Sequence, residues 1–325
     1  MIKVTRRQFV KASSALAAVA PALAAVTASA QPPGGPPPAP DIGKLRAEKD
    51  IKFGKGGDID LLLDVYHPPE GVTSKRLAII HLFGGGFFVG NKNAGYIIND
   101  AKALGNRGYT SISANYRLQS QGKWPAQIHD VKAAIRWTRA NAAKLGVDAD
   151  KIVIAGYSAG GMLSLMAAGT NGKAEFEGTG GTPGVSSDVN ASIGVYPLAS
   201  AETARGLFEE GKATAEAIAA ASPTSYITAK FAPTIFVHGT ADKTVPLTSS
   251  LDFFNKLNAA GVPTALTAIQ GAAHAFDVGA LDAVETMAQS IDLFLDRLLV
   301  NPKPYPAFGP PPGGGRPGGG SRPPG

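Results

Sequence analysis

The chain has 325 residues, no cysteine and a formal charge of +6. Without cysteine it can form no disulfide and carry no lipid-modified N-terminal cysteine. The excess charge sits at the ends: Lys3, Arg6, Arg7 and Lys11 in residues 1–30, and Lys303, Arg316 and Arg322 in residues 301–325, with no acid in either segment. The body between them is therefore near neutral and argues for neither nucleic acid nor an acidic partner.

Thr5-Arg6-Arg7-Gln8-Phe9-Val10-Lys11 precedes an Ala/Val/Leu run from Ala15 to Val26 and the small residues Ala28-Ser29-Ala30. This pattern reads as a twin-arginine export signal cut after Ala30, with the Tat translocase as a transient partner and a periplasmic or secreted destination. The run is short and contains Pro21, so no retained membrane segment is expected. Residues 31–45 are a Pro/Gly-rich linker, residues 46–300 one large α/β domain, and residues 301–325 a Pro/Gly-rich tail expected to be disordered.

Within the body, Ile51–Phe53 and Ile59–Tyr66 read as strands joined at Lys55-Gly56-Gly57-Asp58. Leu77–Leu82 is an apolar strand that runs into Phe83-Gly84-Gly85-Gly86-Phe87. Three glycines after a buried strand suggest a nest of backbone N–H groups that an anion can approach closely. A helix over Ala94–Asn106, a strand over Tyr109–Ala114 and a helix over Ala126–Leu145 follow, with Gly146 as the stop.

Ile152-Val153-Ile154-Ala155-Gly156-Tyr157-Ser158-Ala159-Gly160-Gly161 is the central stretch. A β-branched run, a Gly-x-Ser-x-Gly turn and the helix-forming Met162–Ala168 make a nucleophile elbow with Ser158 at its apex. The polar segment 171–188 reads as a surface loop. Ser192–Tyr196, Thr234–His238 and Thr264–Ile269 are further strands. Ala201–Ala221 reads as a small helical insertion, a possible lid. Leu247–Ala260 and Leu281–Leu299 are helices. Repeated strand–helix alternation implies a mostly parallel sheet of about eight strands with helices on both faces.

A nucleophilic serine needs a base, and the base needs an orienting acid. There are five histidines. His67 ends a strand before two prolines. His81 lies in a buried strand and reads as a satisfied core residue. His129 is in a helix beside Asp130, where a structural hydrogen bond is expected. His238 ends a strand and is placed to support the Asp242 loop. His274 lies in a small-residue loop after the last strand, downstream of Asp242 in a similar loop. The order Ser158, Asp242, His274 is that of α/β-hydrolases, and loops at the C-terminal ends of parallel strands converge. Asp277 is a competing acid, read here as a cap for the final helix.

Residues 50–300 resemble α/β-hydrolase esterases of the bacterial acetyl-esterase/lipase and feruloyl-esterase-like group, of hormone-sensitive-lipase type. The similarity rests on Gly84–Phe87, Asn115-Tyr116-Arg117-Leu118, Ala133–Gly146 with Val147-Asp148, Gly156–Gly161, His238-Gly239-x-x-Asp242 and His274. It implies an α/β-hydrolase fold, a serine carboxylesterase activity without cofactor or metal, and a Ser158–His274–Asp242 triad. It also implies an oxyanion hole from the N–H groups of Gly85, Gly86 and Ala159. The group usually has a histidine before the glycine triplet, where it braces the loop; this chain has Phe83. Phe87, Phe88, Trp124, Tyr157, Met162 and Phe276 either line an apolar acyl pocket or belong to the core. Export suggests a small-molecule or carbohydrate-linked ester. Two rival readings are a serine exopeptidase of prolyl-oligopeptidase type and a non-catalytic binding protein on a hydrolase fold.

Overall fold

The structure is a computed structural model that describes residues 42–304. The segments read as an export signal, most of the linker, and the tail beyond residue 304 lie outside the described residues.

Eight strands form one sheet: β1 (Arg46–Gly56), β2 (Ile59–His67), β3 (Ala78–Leu82), β4 (Thr110–Ala114), β5 (Ile152–Tyr157), β6 (Ala191–Val195), β7 (Thr234–Gly239) and β8 (Thr264–Ile269). Their order is β1-β2-β4-β3-β5-β6-β7-β8. β2 alone runs against the others: it pairs antiparallel with both β1 and β4, while β4, β3 and β5 to β8 pair in parallel. Every residue of β3, β4, β5, β6 and β7 is buried, as expected of parallel strands covered on both faces.

Among the described residues, seven α-helices flank the sheet: α1 (Gly95–Gly105), α2 (Ala126–Ala140), α3 (Ala142–Leu145), α4 (Ala159–Gly169), α5 (Ala215–Ala221), α6 (Thr248–Ala259) and α7 (Leu281–Leu295). α1 packs on α7, and α2 packs on α4. The chain leaves β3 toward β4 through α1, but leaves β5 toward β6 through α4. The connections diverge between β3 and β5, and the crevice at such a switch point is where open α/β sheets bind ligands. Leu82 pairs with Gly156 in the ladder, so the glycine loop after β3 and the turn after β5 emerge side by side.

Several elements differ from the sequence reading for identifiable reasons. β1 begins at Arg46, five residues before the first apolar pair, because it is an edge strand held by backbone pairing to β2 from Arg46–His67 onward. Its charged residues hide the alternation, as is usual at a sheet edge. The helix read over Ala126–Leu145 breaks at Asn141, and Gly146 closes it in the left-handed conformation. The insertion is two 3-10 turns, Ala201–Thr203 and Arg205–Leu207, followed by α5. The loop over 171–188 is tied down by α2: Arg136 donates to the Glu177 carboxylate and to the carbonyls of Glu177 and Gly180, and Arg139 to those of Ser186 and Asp188.

His81 is a satisfied core residue, as expected. Its Nδ1 shares a hydrogen bond of 2.9 Å with the Tyr157 hydroxyl and its Nε2 one of 3.1 Å with Ser111 Oγ. Burial pushes its pKa down to about 3. An unfolded histidine titrates near 6.5, so the unfolded chain takes up a proton that the folded one refuses. His81 thus contributes stability above that value and loses it as the pH falls. Urea unfolding of the protein should show about 2 kcal/mol of acid destabilisation between pH 6.5 and 4.5 that His81→Gln removes. An identical pH slope in the variant would refute the assignment.

Candidate active site

β5 ends at Tyr157, and Ser158 follows with φ 53° and ψ −115°, outside the favoured regions for a residue with a side chain. The turn closes because its neighbours are glycines. A Cβ on Gly156 would lie 2.0 Å from the Gly160 carbonyl oxygen, and one on Gly160 would lie 2.2 Å from that of Leu82. Backbone meets backbone here, so no other residue fits.

The loops after β7 and β8 bring the other two side chains. His274 Nε2 is 3.1 Å from Ser158 Oγ, and His274 Nδ1 is 2.7 Å from Asp242 Oδ2. Asp242 Oδ1 accepts the N–H groups of Thr244 and Val245, both at 2.8 Å. His238 stands beneath this loop: its Nε2 is 2.8 Å from the Val245 carbonyl and 3.3 Å from Asp242 Oδ2, and its Nδ1 is 2.8 Å from Ser250 Oγ. Both neighbours of Nε2 are acceptors, which places a proton on that nitrogen. Burial alone would raise the Asp242 carboxyl. Hydrogen bonds from His238 and His274, the nearby His274 charge and the Val245 N–H outweigh it and hold the group well below the usual carboxylate range. Asp242 is thus an acceptor for Nδ1–H, which leaves Nε2 to take the serine proton.

The other histidines are engaged elsewhere. His67 Nε2 bonds Glu48 at 2.9 Å. His129 does not pair with Asp130: its ring meets the Glu175 backbone. The Asp130 carboxylate instead takes Arg117, with Nε and Nη2 at 2.8 and 2.7 Å. Arginine offers a planar fork to a carboxylate, so it wins this partner.

The glycine loop after β3 lies against the elbow. A Cβ on Gly84 would be 3.0 Å from the Tyr157 carbonyl oxygen and 3.2 Å from Ser158 Cβ. Gly85 and Gly86 have φ of 115° and 64°. The loop's own backbone bonds run from Phe88 and Val89 to the Gly85 carbonyl, and do not use the N–H groups of Gly85 and Gly86. Ala159 is the first residue of α4, whose N–H has no acceptor inside the helix.

Phe83 answers how this loop is braced without the histidine. Its ring stacks on Tyr116 at 4.2 Å and 8°, and the Tyr116 hydroxyl donates to the Phe83 carbonyl at 2.7 Å. Farther along, the Gly84 N–H donates to the Tyr96 hydroxyl at 2.8 Å. The loop's far end is fixed at Lys92, whose Nζ bonds buried Asp64 at 2.6 Å and whose N–H donates to Asn115 Oδ1 at 2.8 Å.

Four of the residues considered for substrate contact are core. Tyr157 is turned under the sheet, with its hydroxyl on His81. Phe87 is fully buried, edge-on to Tyr116. Met162 and Phe276 are buried as well. Trp124 is half-buried, its ring packed on Phe176 at 6.2 Å and its backbone N–H donating to the Leu207 carbonyl. Phe88 alone presents a large exposed face, at 49%. The 3-10 turn Arg205–Leu207 is seated on the glycine loop: a Cβ on Gly206 would be 2.4 Å from the Gly86 carbonyl oxygen. That part of the insertion is a fixed cover.

Asp277 does not cap the final helix. Its carboxylate accepts the Tyr196 hydroxyl at 2.6 and 2.8 Å, inside the core. Tyr196 read simply as a strand end; its ring in fact packs on His274 at 4.6 Å. No short-range pattern marks either residue.

The sheet order, the elbow and the Ser158–His274–Asp242 relay define an α/β-hydrolase. The profile of the family described as BD-FAE matches residues 63–257, and the chain belongs to that family. It is 31% identical over 262 residues to "Esterase LipC" of Mycobacterium tuberculosis, covering 75% of this chain and 64% of that protein. Among solved structures it is similar to the thermophilic esterase Est2 of Thermogutta terrifontis in its propionate-bound form, with a TM-score of 0.66, 31% identity, and 82% and 98% of the two chains covered. It is also similar to a truncated carbohydrate esterase from gut microbiota, with a TM-score of 0.64 and 26% identity over 79% and 99% of the two chains. The chain thus spans just under two thirds of the curated relative's length.

The stack on Phe83 yields a test. Phe83→Ala removes the brace and leaves every backbone donor in place. Hydrolysis of a reporter ester should fall about tenfold or more in kcat with little change in KM, while stability drops by about 3 kcal/mol in urea unfolding. Unchanged kcat would show that the stack is not what holds the loop.

Proposed function

We propose that this chain is an exported serine carboxylic-ester hydrolase that acts on short-chain or aromatic acyl esters, carbohydrate-linked ones among them. The observation that carries the reading is the unbroken relay from Ser158 Oγ through His274 to Asp242, at 3.1 and 2.7 Å, beside a glycine loop with unused N–H groups.

In this reading Ser158 attacks the ester carbonyl while His274 Nε2 takes its proton. Asp242 keeps the tautomer in which Nδ1 carries hydrogen and stabilises the imidazolium. Gly85, Gly86 and Ala159 donate to the tetrahedral oxyanion, and the N-terminus of α4 adds its dipole. His274 returns the proton to the departing alcohol, and water then releases the acid. Three things support a short acyl group: Ser158 is only 7% exposed, the Arg205–Leu207 turn is seated directly on the glycine loop, and the similar esterase was solved with propionate bound. Exposed Phe88 and Val89 at 49% and 43% offer an apolar rest for an aromatic group at the mouth. The likeness to a carbohydrate esterase supports a sugar-linked alcohol. The twin-arginine pattern at Arg6 and Arg7 supports export to the periplasm or beyond through the Tat translocase.

A p-nitrophenyl ester series from acetate to decanoate tests this on protein lacking residues 1–30. Acetate to butyrate should be the best substrates, with the rate falling steeply at longer chains. Ser158→Ala should lose about 10⁴-fold or more in kcat. Equal rates in the two proteins, or hydrolysis of a peptide amide in place of esters, would overturn the assignment.

A further inference from the structure

Behind His274 lies a second acidic centre that the relay does not use. Tyr196 follows β6 with φ 38°, a left-handed conformation uncommon for an aromatic residue. Its N–H donates to the Val237 carbonyl at 2.8 Å, which fixes the residue to β7. Its ring lies against the His274 imidazole at 4.6 Å and 57°, and Phe276 abuts it edge-on at 5.6 Å. Its hydroxyl is centred on the Asp277 carboxylate. Asp277 is wholly buried on the 3-10 turn Phe276–Val278, and its carbonyl accepts Asn99 Nδ2 from α1 at 3.1 Å. Between His274 and this turn, Ala275 is also left-handed, at φ 57°. Two unfavourable backbone conformations therefore bracket the contact between Tyr196 and the base, and such outliers persist where surrounding structure enforces them.

A third group completes the centre. Asp100 of α1 is wholly buried, and its carboxyl faces the Tyr157 hydroxyl and the Asp277 carboxyl. Nothing in packing favours burying one acid beside another; an apolar side chain would serve better.

We propose that Tyr196 and Asp277 are positioning residues for His274: the ring holds the imidazole in line between Asp242 and Ser158, and the Asp277 carboxylate stabilises the imidazolium formed during turnover. The proposal rests on the reading of His274 as the catalytic base. The groups facing Asp277 are Asp100 and Tyr96 from α1, Tyr196, and His274; Tyr157 from β5 faces Asp100, with His81 behind it. Two carboxyls in one dry pocket cannot both ionise. Burial raises both above the usual carboxylate range, Asp277 the less because it accepts the Tyr196 hydroxyl. The Tyr196 hydroxyl donates to Asp277 and so favours that carboxyl as the seat of the pair's negative charge. No proton passes to Asp277 in the reaction; it acts by charge and by holding Tyr196.

The test is the pH profile of kcat/KM with p-nitrophenyl acetate for wild type, Asp277→Asn, Tyr196→Phe and Ser158→Ala. Asp277→Asn removes the charge at constant shape. It should lower kcat about tenfold with KM within twofold, and move the acid limb to lower pH by half a unit or more, because a less stabilised imidazolium loses its proton earlier. Tyr196→Phe keeps the ring and withdraws only the hydroxyl. It should shift the limb in the same direction by less, and it carries the test alone should Asp277→Asn not fold. An unmoved acid limb and unchanged kcat in folded variants, with only a lower Tm, would overturn the positioning role while a silent Ser158→Ala leaves the esterase reading intact. Wild-type activity in Ser158→Ala would bring down both.

Discussion

The site depends on how closely two strand ends can approach. Gly160, two residues past the nucleophile, sits against the carbonyls of Leu82 and Phe83 at the end of β3, closer than any Cβ would allow. That one backbone contact sets the position of Ser158 relative to the glycine loop. It also explains why the positive φ at Ser158 is maintained. The strain at the serine is held by β5 below, by α4 after it, and by a neighbouring strand that leaves it no room to relax. Parallel pairing of Leu82 with Gly156 brings the two ends level, so the hydrogen-bond register of the core is what aligns nucleophile and donors.

What was legible in the sequence follows from this. Gly156, Ser158 and Gly160 are readable because a backbone contact imposes residue types at fixed spacing. Asp242 and His274 are readable because strand ends converge and few histidines compete. β3, β5 and β7 were readable as strands because parallel strands buried on both faces show as apolar runs. β1 was legible only in its middle, because an edge strand is held by backbone pairing that charged side chains do not disturb. The insertion and the loop over 171–188 were legible only as non-strand segments. What fixes them is long-range: Gly206 on Gly86, and the arginines of α2 on carbonyls about forty to fifty residues away. The same applies to Tyr157 and Phe87. Composition cannot say which face of the sheet an aromatic takes, and both turn inward.

The brace on the glycine loop shows that a role can survive the loss of its usual residue. A histidine holds by hydrogen bonds. Here Phe83 holds by stacking on Tyr116, and the polar half of the work passes to the Tyr116 hydroxyl, which takes the Phe83 carbonyl. The donors of the loop are backbone groups, so their chemistry is indifferent to which side chain fixes them. The swap trades polar contacts for a buried aromatic surface, which suits a position already 1% exposed.

Two acids near one imidazole are driven in opposite directions by their surroundings. Asp242 keeps its charge because four hydrogen-bond donors converge on it: two backbone N–H groups and two histidines. Among the described residues, Asp277 has only the Tyr196 hydroxyl and its own backbone N–H as donors, no water-facing surface and a second carboxyl facing it, so it resists ionisation. A group that is always ionised orients a tautomer well, since its pull does not vary over the working range. A carboxyl that burial pushes upward cannot serve as such an anchor, but its charge adds to the field felt by the imidazolium while it is ionised. The separation of the two carboxylates therefore assigns their parts. The fixed charge belongs in the relay, hydrogen-bonded to Nδ1. The variable one belongs behind an aromatic ring, where it acts on the base without competing for its proton.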